Sequence, residues 1–345
     1  MDFKKIFIKN ASPTKIGGQA VLEGIMMKGE NRTAVVVRDN KDRLYIRTEK
    51  LPPLRKAAEI PIVRGVYIFV TTLATGMKTL VYSAEILERF YEEDAPSNDN
   101  EGAAPTDKES KELPFGLMIA FSVAIALAFV VGVFIIVPTV VINFLGTYTD
   151  SAVVLNVFEG IFRIALFVVY IVLISRMKDI RTTFEYHGAE HKTIHCFENG
   201  LELTPKNATP FETLHPRCGT SFLMFVMIIA LLLFSLLGWP DLLIRITSRI
   251  VLIPVIAGLS FELLRYAGRS DTALVKVLSV PGLLLQKLTT CEPNSSQLEV
   301  AIAALKAVLV AKEEPDIEGF CGLDGKLLPD EESLEFQSAL EGQWA

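Results

Sequence analysis

The stretch Phe115–Val137, FGLMIAFSVAIALAFVVGVFIIV, runs for 23 residues without a charge. As a helix rising about 1.5 Å per residue it is long enough to cross a hydrocarbon core about 30 Å thick. Three further apolar runs follow at Ile161–Ser175, Ser221–Trp239 and Ile250–Leu264, the first and last of them short enough to need their flanks. The pattern predicts a mainly α, polytopic membrane protein with about four transmembrane helices, partnered by the lipid bilayer. Arg176, Lys178 and Arg181 directly follow the second run, whereas the loop Gly146–Asp150 holds no Lys or Arg. A basic flank belongs inside, which sets both termini in the cytoplasm. Arg245 and Arg249 then fall in an outer loop, where an interfacial helix over 241–249 would let them snorkel. Met1-Asp2-Phe3-Lys4-Lys5 opens polar and is not followed by a signal-peptide core.

Outside the spans the composition divides the chain further. Residues 1–60 carry 13 Lys/Arg against 7 Asp/Glu, a basic balance that suits a cytoplasmic membrane face; no aromatic-interleaved basic motif accompanies it, so nucleic acid is not expected. Ala34–Val37 and Leu44–Ile46 read as strands of a hairpin around 39–42, and Gly17–Gly29, GGQAVLEGIMMKG, as tight turns bracketing a short apolar segment. It is not a phosphate loop, because no G-x-x-x-x-G-K-[ST] is present. Ile60–Leu87 reads as an interfacial helix, since Arg64 and Lys78 interrupt it and its small residues allow close helix contact. Residues 92–112 hold eight acids and two lysines and read as a solvated linker. Near the C-terminus, Ser296-x-x-Glu299 reads as a capping box opening a helix with Leu298, Ile302, Leu305 and Leu309 on one stripe, a surface expected to dock on a partner.

The organisation expected is thus a small N-terminal β-rich cytoplasmic unit over 1–56, an interfacial helix over 57–91 and an acidic linker over 92–112. A four-helix membrane domain over 113–270 carries a His-rich cytoplasmic loop at 179–219. A cytoplasmic helical segment over 271–312 and an acidic mobile tail over 313–345 complete the chain.

The chemistry concentrates in Tyr186–Gly219. All four histidines (His187, His191, His195, His215) and two of the four cysteines (Cys196, Cys218) lie there, and the absence of any CxxC argues against a disulfide framework. His187-Gly188-Ala189-Glu190-His191 is an H-x-x-E-H sequence. On a helix at about 100° per residue, His191 stands about 40° from His187, His195 about 80° and Glu190 about −60°, all in one sector. Imidazoles at i and i+4 can share one divalent ion, with Zn²⁺ the expected metal. Such a pair needs another ligand, for which His215, Cys218 and Glu262 are candidates on the same expected side of the membrane. A closed set would be structural; three protein ligands and a water would be catalytic. Glu190 would then act as the base, as in H-x-x-E-H zinc peptidases, or would orient a ligating imidazole. Glu262, costly in the apolar run Gly258–Leu264, has a competing reading as an ion pair with Arg265 or Arg269. Glu159 and Arg163, four apart in the second run, read as an ion pair within the bundle.

Taken together, GGQAVLEGIMMKG, PIVRGVYIFV, EYHGAEHKTI with HPRCGTSF, and LTTCEPNSSQLEVAIAAL resemble the YqhQ family of bacterial inner-membrane proteins, a domain of unknown function loosely labelled as predicted metal-dependent enzymes. The likeness spans residues 15 to 311. It implies a bacterial multi-pass protein with a metal site at His187, Glu190, His191, His215 and Cys218. Cys291 stands where a basic residue is expected, so no role for that thiol is implied. The functional expectation is a metal-dependent membrane enzyme, a hydrolase acting at the cytoplasmic membrane face. The alternative is a non-enzymatic accessory or regulatory protein that docks on another membrane complex and uses the cluster as a structural metal site or polar network. Transport ranks third, because the spans hold few polar residues that could line a path.

Overall fold

The computed structural model describes residues 6–7, 12, 14–52, 60–93, 115–267 and 272–328. In chain order the elements are β1 (Gly17–Val21), β2 (Gly24–Lys28), β3 (Arg32–Arg38), β4 (Leu44–Lys50), α1 (Val63–Glu93), α2 (Phe115–Val131), a π-helical turn (Gly132–Ile136), α3 (Val137–Leu145), α4 (Ala152–Ile174), α5 (Lys178–Glu198), α6 (Pro205–Ala208), α7 (Thr220–Leu236), α8 (Leu242–Val251), α9 (Ile253–Ala267), α10 (Ala273–Thr289), α11 (Ser295–Val308) and β5 (Glu318–Cys321). The protein is mainly helical, with a small sheet near its N-terminus. Its contacts form two units, one from Met1–Glu92, Tyr170–Val226 and Val255–Ala345, the other from Glu93–Val169 and Met227–Pro254. This division cuts across the membrane domain expected over 113–270.

In the first unit the five strands run antiparallel in the order β1-β2-β3-β4-β5. The expected hairpin is present, with Val36 opposite Ile46. The glycine-rich opening supplies a second one, with Gln19 opposite Met26 across the turn Leu22-Glu23. Glu23 has a φ of 45°, and its carboxylate accepts from the Tyr186 hydroxyl at 3.4 Å. Ala34–Val37 is apolar at every position because both sheet faces are covered. Ala34 and Val36 join Ile25, Ile46, α5 and α11 in one core, while Val35 and Val37 join Tyr45 and the α1 residues Tyr82, Ile86 and Phe90 in another. The β-rich segment is therefore half of a shared core, contrary to a separate unit over 1–56.

Two C-terminal expectations are corrected by the same packing. Helix α11 opens two residues earlier, on a capping box formed by Asn294 and Gln297. Leu298, Ile302 and Leu305 are buried within this chain, whereas Leu309 is exposed. The stripe thus docks on the protein's own sheet. The segment expected as a mobile tail from 313 supplies β5, pairing Cys321 with Leu44, and buried Arg32 donates to the carbonyls of Ala311, Glu314 and Pro315. The rest of that tail, from 329, and the linker, from residue 94, lie outside the described residues. Along α1 the small residues do make close contacts: a Cβ on Gly65 would stand 2.8 Å from the Gly258 Cα.

Among the described residues, three helices are long and apolar enough to cross a membrane: Phe121–Leu145, Ala152–Ile174 and Leu242–Tyr266. Helix α7, expected as a further span, has 17 residues, somewhat short of the roughly 20 a bilayer needs. In the second unit Gly160 lies against Leu231, where a side chain would overlap it. Pro138 lacks an N–H for the carbonyl of Phe134 four residues back, and Arg163 Nε donates to that carbonyl at 2.7 Å. Arg163 also pairs with Glu159 at 2.8 Å, as expected. Arg249 approaches the same carboxylate at 2.6 Å and donates to Thr139 at 2.5 Å. Arg245 donates to Asn143 at 2.7 Å and lies 3.7 Å from the centroid of the Trp239 ring. Both arginines are buried, which corrects the expectation that they snorkel.

Candidate metal centre

Helix α5 starts after extended Met177, carries Asp179 in its first turn where the dipole favours an acid, and ends at Asn199. Gly200 then adopts a φ of +70°. Tyr186 and every residue from Gly188 to Cys196 are buried, because β1 and α11 pack around this helix. Gly188 lies against Cys291, whose carbonyl a Cβ would overlap. Gly188→Ala should therefore destabilise the fold by about 1–3 kcal/mol through overpacking. A thermal melt of the purified variant that coincides with wild type would refute this.

The histidine orientations are set by backbone carbonyls. His187 Nδ1 is 2.8 Å from the Thr289 carbonyl, one of the last in α10. His191 Nδ1 is bonded to the Thr213 carbonyl at 2.5 Å, and His195 Nε2 to the next carbonyl, Leu214, at 3.0 Å. Histidines one turn apart thus meet consecutive carbonyls of one strap. A neutral imidazole that donates from Nδ1 keeps a lone pair on Nε2. That of His187 faces Cys218 Sγ at 3.2 Å, and that of His191 is buried without a hydrogen-bond partner. The ligand atoms of His187, His191 and Cys218 lie within 4.8 Å of one another. Burial keeps His191 below the ordinary imidazole pKa. Burial also favours the neutral Cys218 thiol, but His191 and the Thr220 donors outweigh it and lower its pKa.

Glu190 stands beside this triad. Burial raises its carboxyl to about 7, with Cys218 adding to the rise, while His187 and the Gly18 N–H oppose it. Gly18 must be a glycine here, since a Cβ would sit 2.6 Å from the Met26 carbonyl and 3.0 Å from the Glu190 carboxyl carbon.

His215 is not in the triad. Its ring centroid lies 5.5 Å from that of His191 and 4.6 Å from that of His195, extending the row of imidazoles. With His195 and Glu198 it forms a second group whose ligand atoms lie within 4.8 Å. Burial lowers His195 and His215 to about 4. Burial opposes ionisation of Glu198, yet His215, the Thr14 N–H and Arg217 outweigh it and hold that carboxyl at about 2. Glu198 Oε1 accepts from Thr14 N–H at 2.8 Å and Thr14 Oγ1 at 2.9 Å, and Oε2 pairs with Arg217. A guanidinium on that carboxylate repels a dication, so the second group reads as an ion-pair network that fixes the strap. Buried Gln286 completes the strap, accepting from the His215 N–H at 2.9 Å and donating to its carbonyl at 3.0 Å.

Glu262 is not brought to the histidines. It pairs with Arg64, whose Nη2 is 2.7 Å from each carboxylate oxygen, and Arg265 adds a 3.8 Å contact. The competing reading as an ion pair is the observed one, with a different principal partner. Glu198 was legible: eleven residues beyond His187 it returns to about 20° on the same helix face. Thr213, Gln286 and Thr289 carried no such signal, because they act through backbone groups or from a distant helix.

The sequence matches the profile of a family described as "Protein of unknown function (DUF1385)" over residues 60–311. It is 35% identical over 309 residues to "Uncharacterized protein YqhQ" of Bacillus subtilis (strain 168), covering 87% of this chain and 94% of that protein. No solved structure matches.

Proposed function

The chain belongs to the DUF1385 family, whose function is unknown, and from that premise we propose that it is a metal-dependent membrane hydrolase built on His187, His191 and Cys218. One observation carries this: two Nε2 lone pairs converge on a thiol, each imidazole has its other nitrogen on a backbone carbonyl, and the His191 lone pair is buried with no partner. Ligating imidazoles are oriented in this way. Three protein ligands also leave a position open, as catalytic zinc sites require. A bound Zn²⁺ there would supply Lewis acidity and lower the pKa of a water.

The chain's own residues would do the rest. His187 and His191 are aimed by the Thr289 and Thr213 carbonyls, and burial favours the neutral form of His191. Glu190, with a carboxyl near 7, would take and return a proton at neutral pH. The Gly18 N–H would hold that carboxylate in position. An accessory role would offer the N-terminal strands and α11 to a partner, but their apolar faces are buried within the chain. The proposal sets the protein in the bacterial plasma membrane as a multi-pass protein with α7 as a fourth crossing. The basic flank Arg176, Lys178 and Arg181 keeps the triad and both termini cytoplasmic.

Metal analysis of full-length protein purified in detergent tests this. One divalent ion per chain is expected, and the His187→Ala/His191→Ala double variant should lose it. Absence of Zn, Fe and Mn, or equal content in the double variant, would overturn the reading.

A further inference from the structure

Helix α7 begins at the sulfur of the triad. Cys218 ends the strap just before Thr220, the first residue of α7, and its carbonyl accepts the Ser221 N–H at 3.1 Å. Its Sγ accepts from the same helix end, 3.4 Å from the Thr220 backbone nitrogen and 3.2 Å from the Thr220 hydroxyl oxygen. His187 Nε2 stands 3.2 Å from that sulfur on the triad side. In a free thiol either member of the sulfur–hydroxyl contact can donate. A sulfur that ligates a metal is a thiolate without a proton, so in the loaded site the hydroxyl must be the donor.

The first turn of α7 is itself fixed by α10. Gln286 Nε2 donates to Ser221 Oγ at 3.1 Å, and a Cβ on Gly282 would lie 2.4 Å from that oxygen. The same helix supplies the Thr289 carbonyl that orients His187. One helix therefore places both the imidazole and the turn whose donors reach the sulfur.

We propose that Thr220 is a positioning residue for the Cys218 ligand, holding the sulfur at the N-terminus of α7 and drawing charge from it. This rests on the triad as the metal centre. An O–H donor, an N–H donor and the positive end of a 17-residue helix all stabilise a thiolate. A thiolate stabilised in this way gives less electron density to the ion, which stays a stronger Lewis acid toward its water. Thr220 thus acts on the reaction through the sulfur, without touching substrate.

The test is the sulfur-to-metal charge-transfer absorption of the full-length Co²⁺-substituted protein in detergent. Thr220→Val keeps the branched shape and the backbone donor but removes the hydroxyl. The sulfur electrons are then held less tightly, so the absorption should move to longer wavelength and Co²⁺ affinity should fall by about tenfold. Thr220→Ser restores the donor and should return both to wild-type values. Thr220→Ala should repeat the shift of Thr220→Val and decides the matter if the latter does not fold. An absorption at the wild-type wavelength in the hydroxyl-free variants, or an equal shift in Thr220→Ser, would overturn the role of Thr220 and leave the triad standing. A wild-type protein without any such absorption would overturn the triad, and this role with it.

Discussion

Glu159→Ala should cost about 3–5 kcal/mol of stability, because it leaves the buried Arg249 and the partly buried Arg163 guanidinium groups without their shared counter-charge. Glu159 is 2% exposed, with Arg163 at 2.8 Å and Arg249 at 2.6 Å from its carboxylate. Arg163 keeps the Phe134 carbonyl and Arg249 keeps Thr139 and Asn156, but neither partner carries a charge. In an apolar helical unit such groups find little water to replace the lost pairing. Glu159→Gln retains an acceptor and should cost less. Glu159→Met combined with Arg163→Met and Arg249→Met should recover much of the loss, since removing all three charged members of the network avoids an orphaned charge. Denaturant unfolding in micelles measures this. A loss below about 1 kcal/mol for Glu159→Ala would show that the network contributes little.

Only part of this network could be read from the sequence. Glu159 and Arg163 are four apart on one helix, so their pairing follows from helical geometry. Arg249 lies ninety residues beyond Glu159 on another element, and no local pattern reports that distance. The terminal segments failed for a related reason. A polar stripe such as Ser296-x-x-Glu299 specifies that a helix starts nearby, but the face opposite is settled by which element arrives. Here β2, β3 and α5 cover Leu298 and Leu305, so a surface that looked free is core. The run Ala34–Val37 held the missing clue: apolar residues at consecutive strand positions require cover on both faces, and a small unit over 1–56 could not have provided it.

At the candidate centre, the residue types and their spacing were legible where one helix carries them and obscure where the strap does. His187, Glu190 and His191 follow from 3.6-residue periodicity. Choosing among His215, Cys218 and Glu262 required knowing where two other segments return. Arg64 decides the fate of Glu262, and Arg217 decides that of Glu198, since each guanidinium satisfies a carboxylate that would otherwise be free to ligate.

That distinction gives the second large effect. His191→Ala should weaken divalent metal binding by at least about 100-fold, above the 10–100-fold typical of altering an outer partner. Cys218→Ser should weaken it comparably and abolish the thiolate-to-metal charge-transfer absorption of the Co²⁺-substituted protein. His195→Ala and Glu198→Gln remove members of the other group and should leave that absorption in place. Their cost should appear instead as lost stability, because Glu198 ties Thr14, Arg217 and the strap together. Competitive chelator titration gives the affinities, and the Co²⁺ spectrum identifies the sulfur ligand without any substrate. Absence of the absorption in the wild type, together with loss of Co²⁺ binding in Glu198→Gln, would move the metal to the second group. An unchanged spectrum in Cys218→Ser would remove the thiol from the coordination altogether.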